Sequence, residues 1–177
     1  PTVRDAIFDL PTIENRANLF ECDSVKANYK KTKSSFALQM RGELICCDNE
    51  SDRQVPELEK LTGFLRTRHA PEVVDRFSNT IPGAAEPISR YIRLSLQSVA
   101  PTLRAGTGPE HGSHTAPRPI HPTNPRCITT REAARLHSFP DWFQFYGTRW
   151  HDFRQIGNSV PPLLAKAVAA SIRRAIV

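Results

Sequence analysis

A chain of 177 residues, 39% hydrophobic and 24% charged, can build one domain or a domain with a small appendage. Its 24 Lys and Arg against 18 Asp and Glu leave a formal charge of +6, which favours an anionic partner, nucleic acid first. No apolar run reaches membrane-spanning length and the opening PTVRDAIFDLP lacks the apolar stretch of an export signal, which argues against a membrane or exported protein. The four cysteines, Cys22, Cys46, Cys47 and Cys127, show no C-x-x-C spacing, so no zinc site is expected. A reduced, cytoplasmic chain is the expectation. The first residue is Pro1 rather than methionine, which suggests a processed terminus or a fragment.

Residues 1–10 predict a short helix capped by Thr2, with Val3, Ala6, Ile7 and Leu10 at helical spacing and Pro11 as its stop. The lysine-rich DSVKANYKKTKSS at 23–35 has two readings. One is a solvated loop; the other is a phosphate-contacting segment with Lys26, Lys30, Lys31 and Lys33 around Tyr29. From Ser35 the pattern turns to strands, SFALQM and ELICC, with Gly42 between them. VPELEKLTGFLRTRH predicts a short helix ended near Gly63. PEVVDRFSNTIPG predicts another, with Pro71 in its first turn and Pro82-Gly83 beyond its end, and SRYIRLSL predicts a strand. Residues 100–125 hold much of the glycine and proline, and so long a loop is either functional or disordered. His111 and His114 within it read as surface or DNA-proximal residues, not metal ligands.

ITTREAARLHSF at 128–139 returns to helix grammar. Thr129 and Glu132 form a T-x-x-E capping box, and Arg131 and Arg135, four apart, share one face. In the final RQIGNSVPPLLAKAVAASIRRAIV, Ser159 or Asn158 can cap a helix whose first turn takes Pro161 and Pro162. Leu164, Val168 and Ile172 form its apolar stripe, and Arg173 and Arg174 sit at the negative end of its dipole.

TTREAARLHSFPDWF followed by RQIGNSVPPLLAKAVA resembles the last two conserved blocks of bacterial DNA (cytosine-5)-methyltransferases. TVRDAIFDLP is similar to the helix after that family's arginine-containing eighth block. The stretch between them stands where the family places its variable target-recognition domain. Thr102-Leu103 in APTLRAG resembles the Thr followed by Leu or Val that such domains carry. The resemblance implies four parts: a leading helix at 1–13, the recognition domain at 14–125, a block organising that domain at 126–150, and a cofactor-site turn with the C-terminal helix at 151–177. It implies that Thr102, Leu103, Arg104 and Gly106 contact double-stranded DNA beside a flipped cytosine, with Gly106 and Gly108 permitting close approach. It implies that Asn158, Ser159 and Val160 lie against S-adenosylmethionine, at a helix start whose free N–H groups suit the donor's carboxylate. Arg131, Glu132 and Arg135 would hold the junction between recognition and catalytic domains through ion pairs and hydrogen bonds. Arg66, Arg68, Arg90, Arg93, Arg104 and Arg118 are candidates for sequence-independent phosphate contacts.

The family's reaction needs a thiolate from a Pro-Cys dipeptide, a carboxyl from a Glu-Asn-Val block and a glycine-rich loop in a doubly wound sheet. None of the four cysteines follows a proline, and Glu14-Asn15-Arg16 comes after the leading helix, on the wrong side of that landmark. The expected fold is therefore α+β. A small, irregular recognition domain of short strands and loops is flanked by terminal helices that normally complete a doubly wound α/β methyltransferase domain. Without that domain, both terminal helices are expected to expose their apolar faces and to drive self-association. The chain alone is expected to transfer no methyl group. Fragment, second subunit of a split methyltransferase, truncated remnant and stand-alone sequence-specific DNA-binding module all remain open.

Overall fold

The computed structural model describes residues 1–44, 58–105 and 118–176. Most of the expected ELICC strand, the start of the helix expected over VPELEKLTGFLRTRH, and Cys46, Cys47, Gly106, Gly108, His111 and His114 lie outside the described residues. Within them, six α-helices, a 3-10 turn at Ala17–Phe20 and one two-stranded antiparallel sheet make a mixed fold. No helix among them is long and apolar enough to cross a membrane.

Helix α1 covers Val3–Ile7. Thr2 Oγ1 accepts from the Asp5 N–H at 3.3 Å, and the Thr2 N–H donates to Asp5 Oδ2 at 2.8 Å, which satisfies donors that a helix start leaves open. Val3, Ala6 and Ile7 are buried against α2, Ser35–Arg41, and α4, Thr130–Leu136. This corrects the expectation for the leading helix: its apolar face is covered from within the chain.

Helix α2 corrects a second expectation, since SFALQM was read as a strand. Ser34 Oγ accepts the Ala37 N–H at 3.2 Å, and Gly42 closes the helix at φ 83. Between those ends Ala, Leu, Gln, Met and Arg are strong helix formers, and Ala37 and Met40 bury one face. The lysine-rich segment is not wholly a loop either. Strand β1, Val25–Lys26, pairs with β2, Lys60–Leu61, setting Val25 opposite Leu61 in the core and Lys26 opposite Lys60 in solvent.

The helix expected to end near Gly63 is absent from residues 58–69, where β2 stands instead. Asp23 explains the difference. Its carboxylate accepts the N–H groups of Gly63 at 2.8 Å and Leu65 at 3.0 Å, so distant partners take the backbone donors that a helix would use. Gly63 sits at φ +85, its carbonyl accepts the Arg131 N–H at 2.8 Å, and a Cβ on it would lie 2.9 Å from that same nitrogen. Gly63→Ala therefore combines left-handed strain with a backbone clash. It should destabilise the protein by roughly 2 kcal/mol or more, read as a lowered urea midpoint. An unchanged midpoint would rule out this account of β2 docking on α4.

Helix α3, Pro71–Asn79, begins at the expected proline. Its Phe77 joins Ile120 and Cys127 in a small second core. SRYIRLSL forms isolated bridges, Ile92 with Ala85 and Arg93 with Ile120, instead of a strand. Arg90, at φ 60, breaks the extended run. Helix α4 carries the expected box: the Thr129 N–H donates to Glu132 Oε2 at 2.7 Å, and the Glu132 N–H to Thr129 Oγ1 at 3.3 Å.

The C-terminal region holds two helices, α5 at Arg149–Asn158 and α6 at Pro162–Ile176. Asn158 and Ser159 thus end α5; they do not cap α6. Ser159 Oγ donates back to the Ile156 carbonyl at 2.7 Å, whereas Ser138 Oγ accepts the Leu163 N–H at 3.1 Å. No residue of α6 is buried, and Leu164, Val168, Ile172 and Ile176 are all at least half exposed. The main core joins α1, α4, α5, Val25 and Leu61, with Leu103 inserted between them.

Candidate functional site

The α4 charges come first, because they hold the surrounding elements. Arg135 is fully buried. Its guanidinium donates to both Asp141 oxygens at 2.6 Å, to both Asp9 oxygens at 3.2 Å and to the Ala6 carbonyl at 3.1 Å. Tyr29 donates its hydroxyl to Asp141 at 2.6 Å. Burial, with the Asp141 charge beside it, pushes that phenol's pKa up. Arg131 spends its donors on the carbonyls of Thr62 at 2.9 Å, Phe143 at 2.8 Å and Pro140 at 3.3 Å. Glu132 accepts a bidentate pair from Arg126 at 2.8 and 2.9 Å. Burial opposes its ionisation, but Arg126 outweighs that and holds the Glu132 carboxyl down at about 2. Arg131 and Arg135 thus tie α4 to α1, to the residue after β2 and to the turn beyond α4, and Glu132 ties it to Arg126 in the segment before it.

The second group is the α5–α6 turn. Asn158 is exposed, Val160 is 63% exposed and Ser159 is half-buried, its carbonyl accepting from His137 Nε2 at 3.0 Å. The first turn of α6 offers few free N–H groups. Pro161 and Pro162 have none, and that of Leu163 is taken by Ser138. A cleft of about 200 Å³ lies behind the turn, between Thr2, Val3, Phe36, Ala100, Ser138 and Leu163. The turn presents the Asn158 carboxamide and the apolar Val160 at the surface.

The third group lies directly on the turn. Thr102 and Arg104 are exposed and flank Leu103, which is 7% exposed and packs in the core beside Phe153 and Ile156. Leu103, grouped by sequence with the DNA contacts, has its side chain in the main core. Gly106 lies outside the described residues. A Cβ on Gly157 would fall 2.4 Å from the Ala105 nitrogen and 2.7 Å from the Arg104 carbonyl carbon. The segment bearing Thr102 and the turn bearing Asn158 are therefore in backbone contact.

The six arginines proposed for phosphate contact divide. Arg93 donates to the carbonyls of Phe77, Ser78 and Thr80, which close the end of α3. Arg66 donates to the Glu14 carbonyl at 2.8 Å, and Arg118 lies 5.2 Å over the Phe153 ring. Arg68, Arg90 and Arg104 remain at the surface. Arg66 and Arg68 both stack on Phe20, at 4.6 and 4.7 Å. Among the described residues no cluster of His, Cys, Asp and Glu is placed to hold a metal ion.

The family model for C-5 cytosine-specific DNA methylases matches residues 7–174. The chain belongs to that family. It is 51% identical over 178 residues to the type II methyltransferase M.XorII of Xanthomonas oryzae pv. oryzae, covering 99% of this chain and 41% of that relative. It is 28% identical over 200 residues to DNA (cytosine-5)-methyltransferase 2 of Arabidopsis thaliana, covering 99% of this chain and 12% of the plant protein. A crystal structure described as a prophage-encoded DNA modification methyltransferase (E.coli) superposes with a TM-score of 0.68 at 34% identity, over 92% of this chain and 43% of that one. The chain thus spans less than half the length of each of these relatives.

Several residues central to this methylase chain escaped the sequence reading. Arg126 pairs with Glu132 and with Glu14 at 3.2 Å, which gives a fold role to the Glu14 read as coincidental. Asp9 and Asp141 complete the Arg135 cluster. No local signal marks these partners, since Asp9 and Arg135 meet only through the packing of α1 on α4. Gly157 did carry a signal: a glycine late in a helix, where alanine is the better residue.

Proposed function

We propose that this chain is the target-recognition and cofactor-closing part of a DNA methyltransferase that moves a methyl group from S-adenosylmethionine to carbon 5 of cytosine in duplex DNA. It works with a catalytic part that supplies the Pro-Cys nucleophile, the Glu-Asn-Val carboxyl and the doubly wound sheet. The observation that supports this reading is the close approach of Gly157 to the Arg104 and Ala105 backbone, with Thr102 and Asn158 as near neighbours in the two segments. Thr102 and Arg104 meet the DNA backbone, Leu103 anchors them, and residues 14–125 carry target recognition. Asn158 and Val160 close one edge of the donor site. S-adenosylmethionine supplies the electrophilic methyl group. Residues 126–150, through Arg131, Glu132 and Arg135, hold the recognition region on α1 and on the turn beyond α4. The bare apolar stripe of α6 packs on the sheet of the catalytic part, and a second copy covers it when that part is absent.

The test is complementation. The chain is mixed with a separately produced catalytic part of a family member, labelled S-adenosylmethionine and cytosine-containing duplex. Methyl incorporation should require both proteins, and Asn158→Ala should raise the KM for the donor by about tenfold with little change in DNA affinity. Incorporation by the chain alone would refute the division of labour. Selective duplex binding without rescue by any catalytic part would establish a stand-alone binding module instead.

A further inference from the structure

We propose that Gly157 is a positioning residue that couples the DNA-facing segment to the donor-facing turn. The inference rests on the functional reading above, but its geometry is independent of it. Gly157 lies within α5, so no left-handed backbone calls for a glycine there. Alanine would favour that helix by about 1 kcal/mol. Space is what requires the glycine. A Cβ would meet the Ala105 nitrogen at 2.4 Å, the Arg104 carbonyl carbon at 2.7 Å and the Ala105 Cα at 2.8 Å. All three are backbone atoms, which cannot swing aside as a side-chain tip can.

Neither partner is free to retreat. Leu103 anchors the segment in the main core, and Phe153 and Ile156 anchor α5 in the same core. Any displacement must move residues 104–105 outward, carrying with them Arg104, and Thr102 across the Leu103 anchor. The reverse also holds. Gly157 adjoins Asn158, so fixing Thr102 and Arg104 on DNA restrains the turn through the same contact. Free-energy coupling of this kind is reciprocal: whatever DNA does to the turn, a ligand on the turn does to DNA affinity.

The experiment uses the full chain and a fluorescently labelled mixed-sequence duplex at low salt. Amide hydrogen exchange is followed with and without the duplex. In the wild-type chain, the duplex should slow exchange at Asn158, Ser159 and Val160 by about tenfold. Gly157→Ala should speed exchange at Leu103 and Ala105, weaken duplex binding by about tenfold and abolish the response at the turn. Protection of α1 and α4 shows whether the variant is folded. If it is not, the wild-type response decides. Duplex binding with an unresponsive turn, or a folded Gly157→Ala chain that responds like the wild type, would overturn the coupling while leaving the functional reading intact. A wild-type chain that binds no duplex would overturn both, because Thr102 and Arg104 would then not face DNA.

Discussion

Arg135→Ala should destabilise the chain by about 3–5 kcal/mol, a large share of what holds it folded. The guanidinium lies between two carboxylates that are themselves buried, and it supplies hydrogen bonds to all four of their oxygens. Removing it leaves more than a cavity. Asp9 keeps Arg41, 2.8 Å away, and Asp141 keeps the Tyr29 hydroxyl, but together they lose the positive charge that lies between them. Breaking one side of a buried ion cluster costs about 3–5 kcal/mol. A domain of this size has roughly 5–15 kcal/mol in total. The loss also frees α1, because the same side chain holds the Ala6 carbonyl. Arg135→Lys should recover only part of the loss, since one ammonium cannot span two carboxylates and a carbonyl as the planar fork does. Urea titration followed by circular dichroism measures both variants. A loss below about 1 kcal/mol for the alanine variant would show that the cluster is solvated and that α4 is held by packing alone.

What the sequence disclosed follows from the range of the forces involved. The Thr2 cap, the capping box at Thr129, the Pro71 helix start and the α6 stripe all lie within one or two turns of chain, and all are legible there. SFALQM was misread because its apolar spacing suits a strand as well as a short helix; the decisive marks were outside it, at Ser34 and Gly42. β2 was missed because Asp23, far away in the chain, satisfies its flanking backbone. The same distinction governs the site. Arg131 and Arg135 could be placed on one helix face, but their partners Thr62, Asp9, Asp141 and Phe143 are set by tertiary packing. The prolines at the α6 start could be placed, but not its cap, which comes from Ser138 in the turn after α4 and not from Asn158 or Ser159. Local chemistry was thus readable and its long-range satisfaction was not.

Acid should destabilise the protein in two stages, both centred on the Arg126–Glu132 cluster. His121 Nδ1 accepts the backbone N–H of Asn124 at 3.1 Å and of Thr123 at 3.3 Å, so that nitrogen must be unprotonated in the native state. Burial, with Arg126 adding to it and Glu132 opposing, pushes the His121 pKa down from 6.5 to about 4. Between those values the unfolded chain binds more protons than the folded one. The His121 contribution is therefore complete above pH 6.5 and is lost as pH falls to about 4, on the order of 3 kcal/mol in all. Glu132 takes over where His121 ends. Its contribution is complete above its ordinary value of 4.5 and is lost as pH falls towards about 2. His69, also pushed down by burial, adds to the first stage. Asp152 is pushed up by burial and runs the other way, softening the second stage. Urea midpoints measured from neutral pH downward should fall in the histidine range before any carboxylate of ordinary pKa titrates. His121→Gln should flatten that first slope while leaving the second. A midpoint that holds steady through the histidine range would mean that His121 is already protonated beside Glu132, and that its two backbone acceptor contacts are not made in solution.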